Sequence, residues 1–165
     1  LLAPPKPTLA TTWRVKRNYG MTGRGQRVID PSNVTDDDSK FLRAALGEGG
    51  LQIEPNVSLV AEFAIHGFLR QSGALVLGPV VKQHCDARGA WLSSEKIATG
   101  EIPNLVPDLL PEAERVAAAL NVAGYFGPFG VDAYTYRRGA DIAFQPRSEI
   151  NARYTMGFAA MIERD

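Results

Sequence analysis

Segments with the alternating pattern of β-strands occur in pairs around short glycine-containing turns, and this pairing constrains the fold more than any other feature. The clearest pairs are residues 62–69 with 75–82 and residues 130–136 with 142–150. Short turns of this kind join antiparallel strands, whereas parallel strands need a long crossover connection. Because the strands do not alternate regularly with helices, the sequence predicts an α+β fold with a largely antiparallel sheet.

The first third of the chain repeats this arrangement. Large apolar and polar side chains alternate in Trp13-Arg14-Val15-Lys16-Arg17-Asn18-Tyr19, and extended character resumes in Gln26-Arg27-Val28-Ile29-Asp30. The glycine-rich segment between them, residues 20–25, predicts a loop. A further short strand, Leu51-Gln52-Ile53-Glu54, ends at Pro55. These residues therefore predict a strand, a glycine loop and a second strand, followed by a third strand.

Two segments have the pattern of helices. Asp36-Asp37-Asp38 precedes the apolar run of residues 41–46, and Gly47 follows, so the acidic run is more typical of a helix start than of a metal site. Residues 111–122 have apolar side chains at helical spacing. Residues 93–107 show little pattern and are predicted to be loop.

Composition excludes several classes of protein and site. The 165 residues contain 18 Lys and Arg against 18 Asp and Glu, so the basic excess of a nucleic-acid binder is absent. The single cysteine, Cys85, excludes an internal disulfide, and with two histidines it is too few for a structural zinc site. No apolar run approaches the roughly 20 residues that span a bilayer. We expect a cytoplasmic protein that binds neither nucleic acid nor membrane.

The glycine loop favours an anion site without matching the familiar phosphate motifs. Gly20, Gly23 and Gly25 allow backbone N–H groups to approach an anion closely. No lysine and hydroxyl residue follow the last glycine, as a Walker loop requires, and a strand follows where a dinucleotide fingerprint requires a helix. Lys16, on the strand that enters the loop, would supply an ammonium to a polyphosphate. An ordinary flexible hairpin with a surface lysine is the alternative.

The last predicted hairpin has the strongest functional signal. If its second strand continues through Arg153, then Glu149, Asn151 and Arg153 lie on one face. Asp132 lies on the preceding strand, opposite Arg147 or opposite Glu149, depending on where the turn is centred. In either register Asp132 and Glu149 share a face, within roughly 5–8 Å of each other. These oxygen donors suit Mg²⁺, and the guanidinium suits phosphate or carboxylate.

Two further points follow for this hairpin. Pro146 has no N–H to donate to a ladder, so we expect a bulge or a sheet edge there. An exposed hairpin whose charges only face water is the alternative to a metal site. That alternative is less favoured, because Asp132 lies among Val131, Ala133 and Tyr134 in a strand that reads as buried.

Taken in chain order, these segments resemble the nucleotide-binding part of the ATP-grasp superfamily of carboxylate–amine or carboxylate–thiol ligases. The resemblance extends from residue 13 to about residue 157, and Glu-x-Asn-x-Arg is its most specific element. The matching residues are Val15-Lys16-Arg17-Asn18-Tyr19-Gly20-Met21-Thr22-Gly23-Arg24-Gly25, Gln52-Ile53-Glu54-Pro55, Glu62, Gly130-Val131-Asp132 and Glu149-Ile150-Asn151-Ala152-Arg153.

The resemblance implies a nucleotide site and a metal site in an ATP cleft between two lobes of mainly antiparallel sheet with helices. Lys16 would contact the α- and β-phosphates and act in catalysis, and Arg153 would stabilise the transferring phosphoryl group. Asp132, Glu149 and Asn151 would hold Mg²⁺, with Mn²⁺ as an alternative. The other implied nucleotide contacts are Gly20, Thr22, Gly23 and Gly25 in the loop, Glu54 and Val57 in the adenine hinge, Glu62 at the ribose, and Lys82 at a phosphate.

The same resemblance implies a domain organisation and an activity. Residues 1–12 would be a linker, residues 13–58 the nucleotide-binding lobe and residues 59–165 the metal-binding lobe. By the same resemblance, the acceptor-binding domain that usually comes first in the family would be missing from this chain. The implied activity is an ATP-dependent ligation through an acylphosphate, with a small-molecule carboxylate and an amine or thiol as substrates. A Mg-ATP-binding module without independent catalysis is the alternative, and a homodimer is left open.

Overall fold

The computed structural model describes residues 9–21, 24–86, 90–98, 100, 106 and 108–161. Within this part of the chain, the strands and helices alternate irregularly. In chain order they are β1 (Trp13–Met21), β2 (Arg24–Ile29), α1 (Asp36–Gly47), β3 (Leu51–Pro55), β4 (Leu59–Leu69), β5 (Leu75–Cys85), β6 (Trp91–Lys96), α2 (Leu109–Val122), β7 (Gly127–Arg138), β8 (Asp141–Asn151) and a 3₁₀ helix (Met156–Met161).

The strands form two antiparallel sheets. One has the order β2-β1-β3 and the other the order β6-β5-β4-β7-β8. Every strand pairing is antiparallel. The predicted α+β class with largely antiparallel sheet is confirmed. No helix in the described part of the chain is long and apolar enough to cross a membrane.

The described residues divide into two compact units. The first unit contains the three-stranded sheet with α1 and ends at Ser58, and Ala90 also belongs to it. The second unit begins at Leu59 and contains the five-stranded sheet, α2 and the 3₁₀ helix. Each unit has its own apolar core.

The first unit packs α1 against its sheet. Thr35 and Asp38 form a capping box at the start of α1, in which the Thr35 side chain accepts a hydrogen bond from the Asp38 backbone. The acidic run is therefore a helix start, as predicted. The helix ends one residue later than expected, because Gly47 is its last residue. Val15, Ile29 and Leu42 form the core of this unit.

The second unit has one apolar and one polar sheet face. Alternate residues of the central strands face α2, so that Ile65, Phe129 and Val131 are fully buried beneath it. The helix contributes Leu109, Ala113, Val116 and Ala117 to the same core. The intervening residues of each strand lie on the opposite face, where the charged and polar side chains are found. The sequence therefore leaves this second face for polar chemistry.

The β7–β8 hairpin changes register halfway along its length. Near the turn, Arg138 pairs with Asp141 and Tyr134 with Gln145, but farther along Asp132 pairs with Glu149 and Gly130 with Asn151. A single residue of β7, Ala133, therefore lies opposite the three residues 146–148 of β8. This is a bulge of two extra residues on the edge strand of the sheet. The bulge or edge predicted at Pro146 is confirmed.

Two loop predictions were wrong. Residues 93–96 belong to β6, which pairs with β5 as an edge strand. Edge strands bury little, and with Leu92 exposed this strand has no apolar alternation to recognise in the sequence. In the predicted glycine loop, Gly20 lies in β1 and Gly25 in β2, so the hairpin strands extend into it. Thr22 and Gly23 lie outside the described residues.

Candidate functional site

The polar face of the second unit brings Asp132 and Glu149 together. Their backbones are directly paired in the β7–β8 ladder, which places their β-carbons about 5 Å apart. Asp132 is half-buried, whereas Glu149 is exposed. Two carboxylates on neighbouring strands, one of them partly shielded from water, form the centre of the candidate site.

Asn151 lies beside this pair and is buried. Its side-chain amide Nδ2 donates a hydrogen bond to Oδ2 of Asp132 at 2.9 Å. Because the donor end of the amide is used in this way, the carbonyl Oδ1 of Asn151 is the end that remains for a ligand.

Gln83 of β5 holds the other side of the Asp132 carboxylate. Its Nε2 donates to Oδ1 of Asp132 at 3.0 Å across the intervening strand β4. Sequence reasoning missed Gln83. Strand alternation places Gln83 on the same face of β5 as Cys85. Nothing in the sequence, however, showed that Asp132 lies on this face of the sheet.

Burial raises the pKa of Asp132 to about 6, and the Glu149 carboxylate adds to the increase. The hydrogen bonds from Gln83 and Asn151 lower the pKa in turn, and Glu62 raises it further. Since nearby negative charges disfavour the ionised form, a cation at this point would stabilise it. The electrostatics of the site therefore fit a bound cation.

The donor set fits a hard divalent ion. Asp132 and Glu149 supply carboxylate oxygens and Asn151 an amide oxygen, the ligand type that Mg²⁺ takes in proteins. Among the described residues, no three His, Cys, Asp or Glu side chains converge as a metal site. A third protein ligand here would be the Asn151 amide, and a magnesium ion would keep several waters or phosphate oxygens.

Glu62 lies on β4, on the same face as Asp132. It pairs with Gln83 on one side and with Tyr134 on the other. Its charge raises the pKa of both Asp132 and Cys85, so Glu62 lies close to the carboxylates as well as being a predicted ribose contact. The ribose role stays a prediction.

Cys85 and His84 do not form a catalytic pair, in agreement with the opposite faces expected for neighbouring strand residues. The Cys85 thiol lies near Glu62, and burial raises its pKa to about 12. His84 instead has its Nε2 at 3.3 Å from Oε2 of Glu95. A thiol that stays protonated at neutral pH is a poor nucleophile, so Cys85 is not a candidate for one.

Arg153 does not share a strand face with Glu149 and Asn151, and that expectation was wrong. Strand β8 ends at Asn151, and Arg153 lies in a bend beyond it. Its exposed guanidinium donates from Nη1 to the backbone oxygen of the adjacent Tyr154 at 3.2 Å. Once the ladder ends, strand alternation no longer sets the direction of the side chain.

Lys82 lies on β5 between Phe63 and Glu95, and its side chain is exposed. Asp132 pairs with Ala64, the residue after Phe63, and neighbouring residues of a strand point to opposite faces of the sheet. Lys82 therefore does not lie on the face that holds the carboxylates. Its phosphate contact stays a prediction.

The first unit pairs two of the predicted nucleotide contacts with each other. Nζ of Lys16 lies 2.7 Å from Oε1 of Glu54, and both side chains are largely shielded from water, with exposures of 21% and 13%. Gln52 also donates to Oε2 of Glu54 at 3.1 Å. A phosphate at Lys16 would have to share this ammonium with Glu54.

Val57 follows the end of β3. Its backbone N–H donates to the carbonyl of Pro55 at 3.0 Å, which forms a tight turn, and its side chain is half-buried. The predicted hinge residues Glu54 and Val57 thus flank the point where β3 leaves the sheet. Their adenine contacts stay predictions.

No family model and no curated protein matches the chain. Solved structures do match. The biotin carboxylase domain of 2-oxoglutarate carboxylase from Hydrogenobacter thermophilus, solved with MgADP, ADP and bicarbonate, aligns over 92% of this chain with a TM-score of 0.66 at 16% identity. A biotin carboxylase complex with β,γ-ATP from Campylobacter jejuni aligns over 91% with a TM-score of 0.63 at 18% identity.

A third match has a different activity in its name. N5-carboxyaminoimidazole synthetase from Staphylococcus aureus, complexed with ADP, aligns over 90% of this chain with a TM-score of 0.58 at 15% identity. The chain has the ATP-grasp fold. It spans 33%, 33% and 36% of these three structures, so the ATP-grasp fold of this chain corresponds to about one third of each.

Proposed function

We propose that the chain is the nucleotide- and metal-binding part of an ATP-dependent ligase that joins a carboxylate to an amine or thiol. The observation that supports this most directly is the pairing of Asp132 with Glu149, with the Asn151 amide beside them, in an ATP-grasp fold. Two like charges placed side by side in a sheet are unfavourable without a cation. Structures with the same fold were solved with ADP, MgADP or β,γ-ATP, which supports a nucleotide as the ligand.

The proposed reaction has two steps. An oxygen of the substrate carboxylate attacks the γ-phosphorus of ATP, the bond between that phosphorus and the bridging oxygen breaks, and ADP leaves with the electron pair. An amine or thiol then attacks the acyl carbon, and inorganic phosphate leaves. A magnesium ion in the site would neutralise charge on the phosphate oxygens during the first step.

The side chains would contribute positioning and charge rather than a covalent bond. Asp132, Glu149 and Asn151 would hold the ion. Lys16 would bind phosphate oxygens through the same ammonium that contacts Glu54. Arg153 is exposed and donates to a backbone oxygen, so the rest of its guanidinium is available to a phosphoryl group. The glycines of the β1–β2 hairpin, with Glu54, Val57, Glu62 and Lys82, complete the proposed nucleotide contacts.

The ion is Mg²⁺ in this proposal, with Mn²⁺ as the alternative. The substrates are small molecules, and a cytoplasmic location follows the prediction from the sequence. A Mg-ATP-binding module that does not catalyse on its own is the second candidate, because the chain spans only about one third of the matched structures.

A Glu149→Gln variant tests the metal site. The variant keeps the size of the side chain but removes one of the two paired charges, so Mg-dependent binding of ATP should be lost while the fold is kept. Wild-type protein with Mg-ATP at 100 times its dissociation constant should gain about 2.7 kcal/mol in unfolding free energy. The matched control is Glu114→Gln, an exposed position on α2.

An unchanged effect of Mg-ATP on the Glu149→Gln variant would contradict the assignment. The two candidate functions are then separated by a screen of carboxylates with amines or thiols, scored by ADP and phosphate release. Release that depends on the acceptor supports the ligase, whereas Mg-ATP binding without such release supports the module.

A further inference from the structure

Arg147 of β8 faces away from the carboxylates, although strand alternation would place it among them. In a regular strand Arg147 would share a face with Gln145 and Glu149. Its Nη1 instead lies 2.8 Å from Oε1 of Glu112, on helix α2, which packs against the opposite face of the sheet. The two-residue bulge of β8 is the place where this change of direction occurs.

The alternative register shows what the bulge achieves. If the pairing of Tyr134 with Gln145 continued without a bulge, Arg147 would stand directly opposite Asp132, and Glu149 would stand opposite Gly130. A guanidinium beside Asp132 would form an ion pair in the place where we propose a cation. The bulge therefore replaces an ion pair of Arg147 with Asp132 by a pair of carboxylates, Asp132 and Glu149.

Glu112 is the residue that holds Arg147 in its observed position. Its side chain is only 7% exposed, and Oε2 already accepts a hydrogen bond from Nε of Arg115 at 2.8 Å. The second oxygen, Oε1, is the one that Arg147 reaches. A buried carboxylate with two guanidinium partners is well satisfied, and breaking such an arrangement is costly.

A second contact holds the bulge from the sheet side. Oγ of Ser148 donates to the backbone oxygen of Asp132 at 3.1 Å. Arg147 and Ser148 are adjacent residues of the bulge, and they are fixed to the helix and to β7 respectively. The bulge is thus held at both of these residues.

We propose that Glu112 is a positioning residue, which by binding Arg147 on the helix side fixes the bulge that sets Glu149, in place of Arg147, opposite Asp132. The inference rests on the proposed function only in that the paired carboxylates bind a divalent ion. The register itself can be measured without any metal.

The test compares Glu112→Leu with Glu112→Leu/Arg147→Ala. Leucine fills the buried space and favours a helix, but it cannot bind a guanidinium. In metal-free protein, NMR should show cross-strand contacts of Asp132 with Glu149 in the wild type and with Arg147 in Glu112→Leu. Affinity for Mn²⁺, measured by calorimetry, should fall about 10–100-fold in the single variant. The double variant should not regain it, because the bulge still lacks its contact with Glu112.

The control is Arg115→Ala, which removes the other guanidinium partner of Glu112 and leaves Arg147 in place. This variant should keep the wild-type register and affinity. If Glu112→Leu does not fold, Glu112→Gln, which removes only the charge, should show the same changes in smaller degree. A Glu112 variant that folds and keeps the wild-type register overturns the inference. So does a double variant that binds Mn²⁺ as tightly as the wild type. A wild type that does not bind Mn²⁺ refutes the metal site instead, while the NMR contacts still decide the register.

Discussion

Replacing Asp132 with asparagine should make the metal-free protein more stable at neutral pH but not at acid pH. The carboxyl has a pKa of about 6 in the fold against an ordinary value of 3.8. A group whose pKa is higher in the folded than in the unfolded protein stabilises the fold fully at pH values below the unfolded pKa. This stabilisation is lost as the pH rises through the pKa of the folded state. At about 1.36 kcal/mol per pKa unit, the loss reaches about 3 kcal/mol above pH 7.

His66 acts in the opposite direction and would conceal this effect in the wild type alone. Burial lowers its pKa from 6.5 to about 4. A histidine with a lowered folded pKa stabilises above its unfolded pKa, and this contribution is lost as pH falls through the folded value. As the pH rises from roughly 4 to 6.5, His66 therefore adds about 3 kcal/mol to the unfolding free energy, while Asp132 removes a similar amount. These two groups together predict a nearly flat profile for the wild type.

The measured quantity is the difference in unfolding free energy between Asp132→Asn and the wild type, because the His66 contribution cancels in it. Urea unfolding in buffer containing a chelator, from pH 4 to pH 8, gives this difference. Trp91 fluorescence in a Trp13→Phe background reports on the second unit. In the variant, the new asparagine can still accept one hydrogen bond through its carbonyl oxygen. The Asn151 side chain can rotate so that its own oxygen accepts a hydrogen bond from the NH₂ group of the new asparagine.

The difference should be close to zero near pH 4 and rise to about 3 kcal/mol in favour of the variant above pH 7. The control is Asp141→Asn, at an exposed position in the β7–β8 turn, which should show no such trend. A difference that is independent of pH, or a variant that is less stable than the wild type at pH 8, would refute the reasoning.

Two further variants test the packing of each unit. Lys16→Met should lower the unfolding free energy by about 1–3 kcal/mol, because the shielded Glu54 carboxylate keeps its hydrogen bond from Gln52 but loses its ammonium partner. Lys16→Met/Glu54→Gln should recover most of the loss, and equal stabilities of the two variants would contradict this. Gly157→Ala should cost about 1–3 kcal/mol, because its β-carbon would lie within 2.3 Å of Nε2 of the buried His66, whereas Gly47→Ala, which meets open space, should be neutral or stabilising in the same urea measurement.

The strands and their faces could be predicted because period-2 alternation and short turns are local signals. The pairing of Asp132 with Glu149 is one of the two registers predicted, but the turn between Arg138 and Asp141 sets the other one, and the bulge at Pro146 changes the register before Asp132 is reached. The sequence did not decide between the two registers. The choice depends on the contact between Arg147 and Glu112, which joins a strand to a helix that lies far from it along the chain.

The predictions that failed depended on features without a local signal. Arg153 was placed on a strand face because alternation was extended past Asn151, where the ladder ends. Gln83 was not recognised, because its hydrogen bond to Asp132 crosses a strand that the sequence does not reveal as an intermediary. The pairing of Lys16 with Glu54 likewise joins two strands whose order in the sheet was not predicted.

The register of the β7–β8 hairpin places two carboxylates opposite each other, where the register without the bulge would place an ion pair. A hairpin without the bulge would place Arg147 opposite Asp132, and opposite charges across two strands stabilise a sheet, whereas like charges destabilise it. The observed hairpin adds two residues at Pro146, removes the guanidinium to Glu112 and sets Glu149 beside Asp132. The contact of Arg147 with the buried Glu112 offsets the loss of the ion pair with Asp132, and a divalent ion held by both carboxylates, as we propose, would remove the remaining repulsion between them.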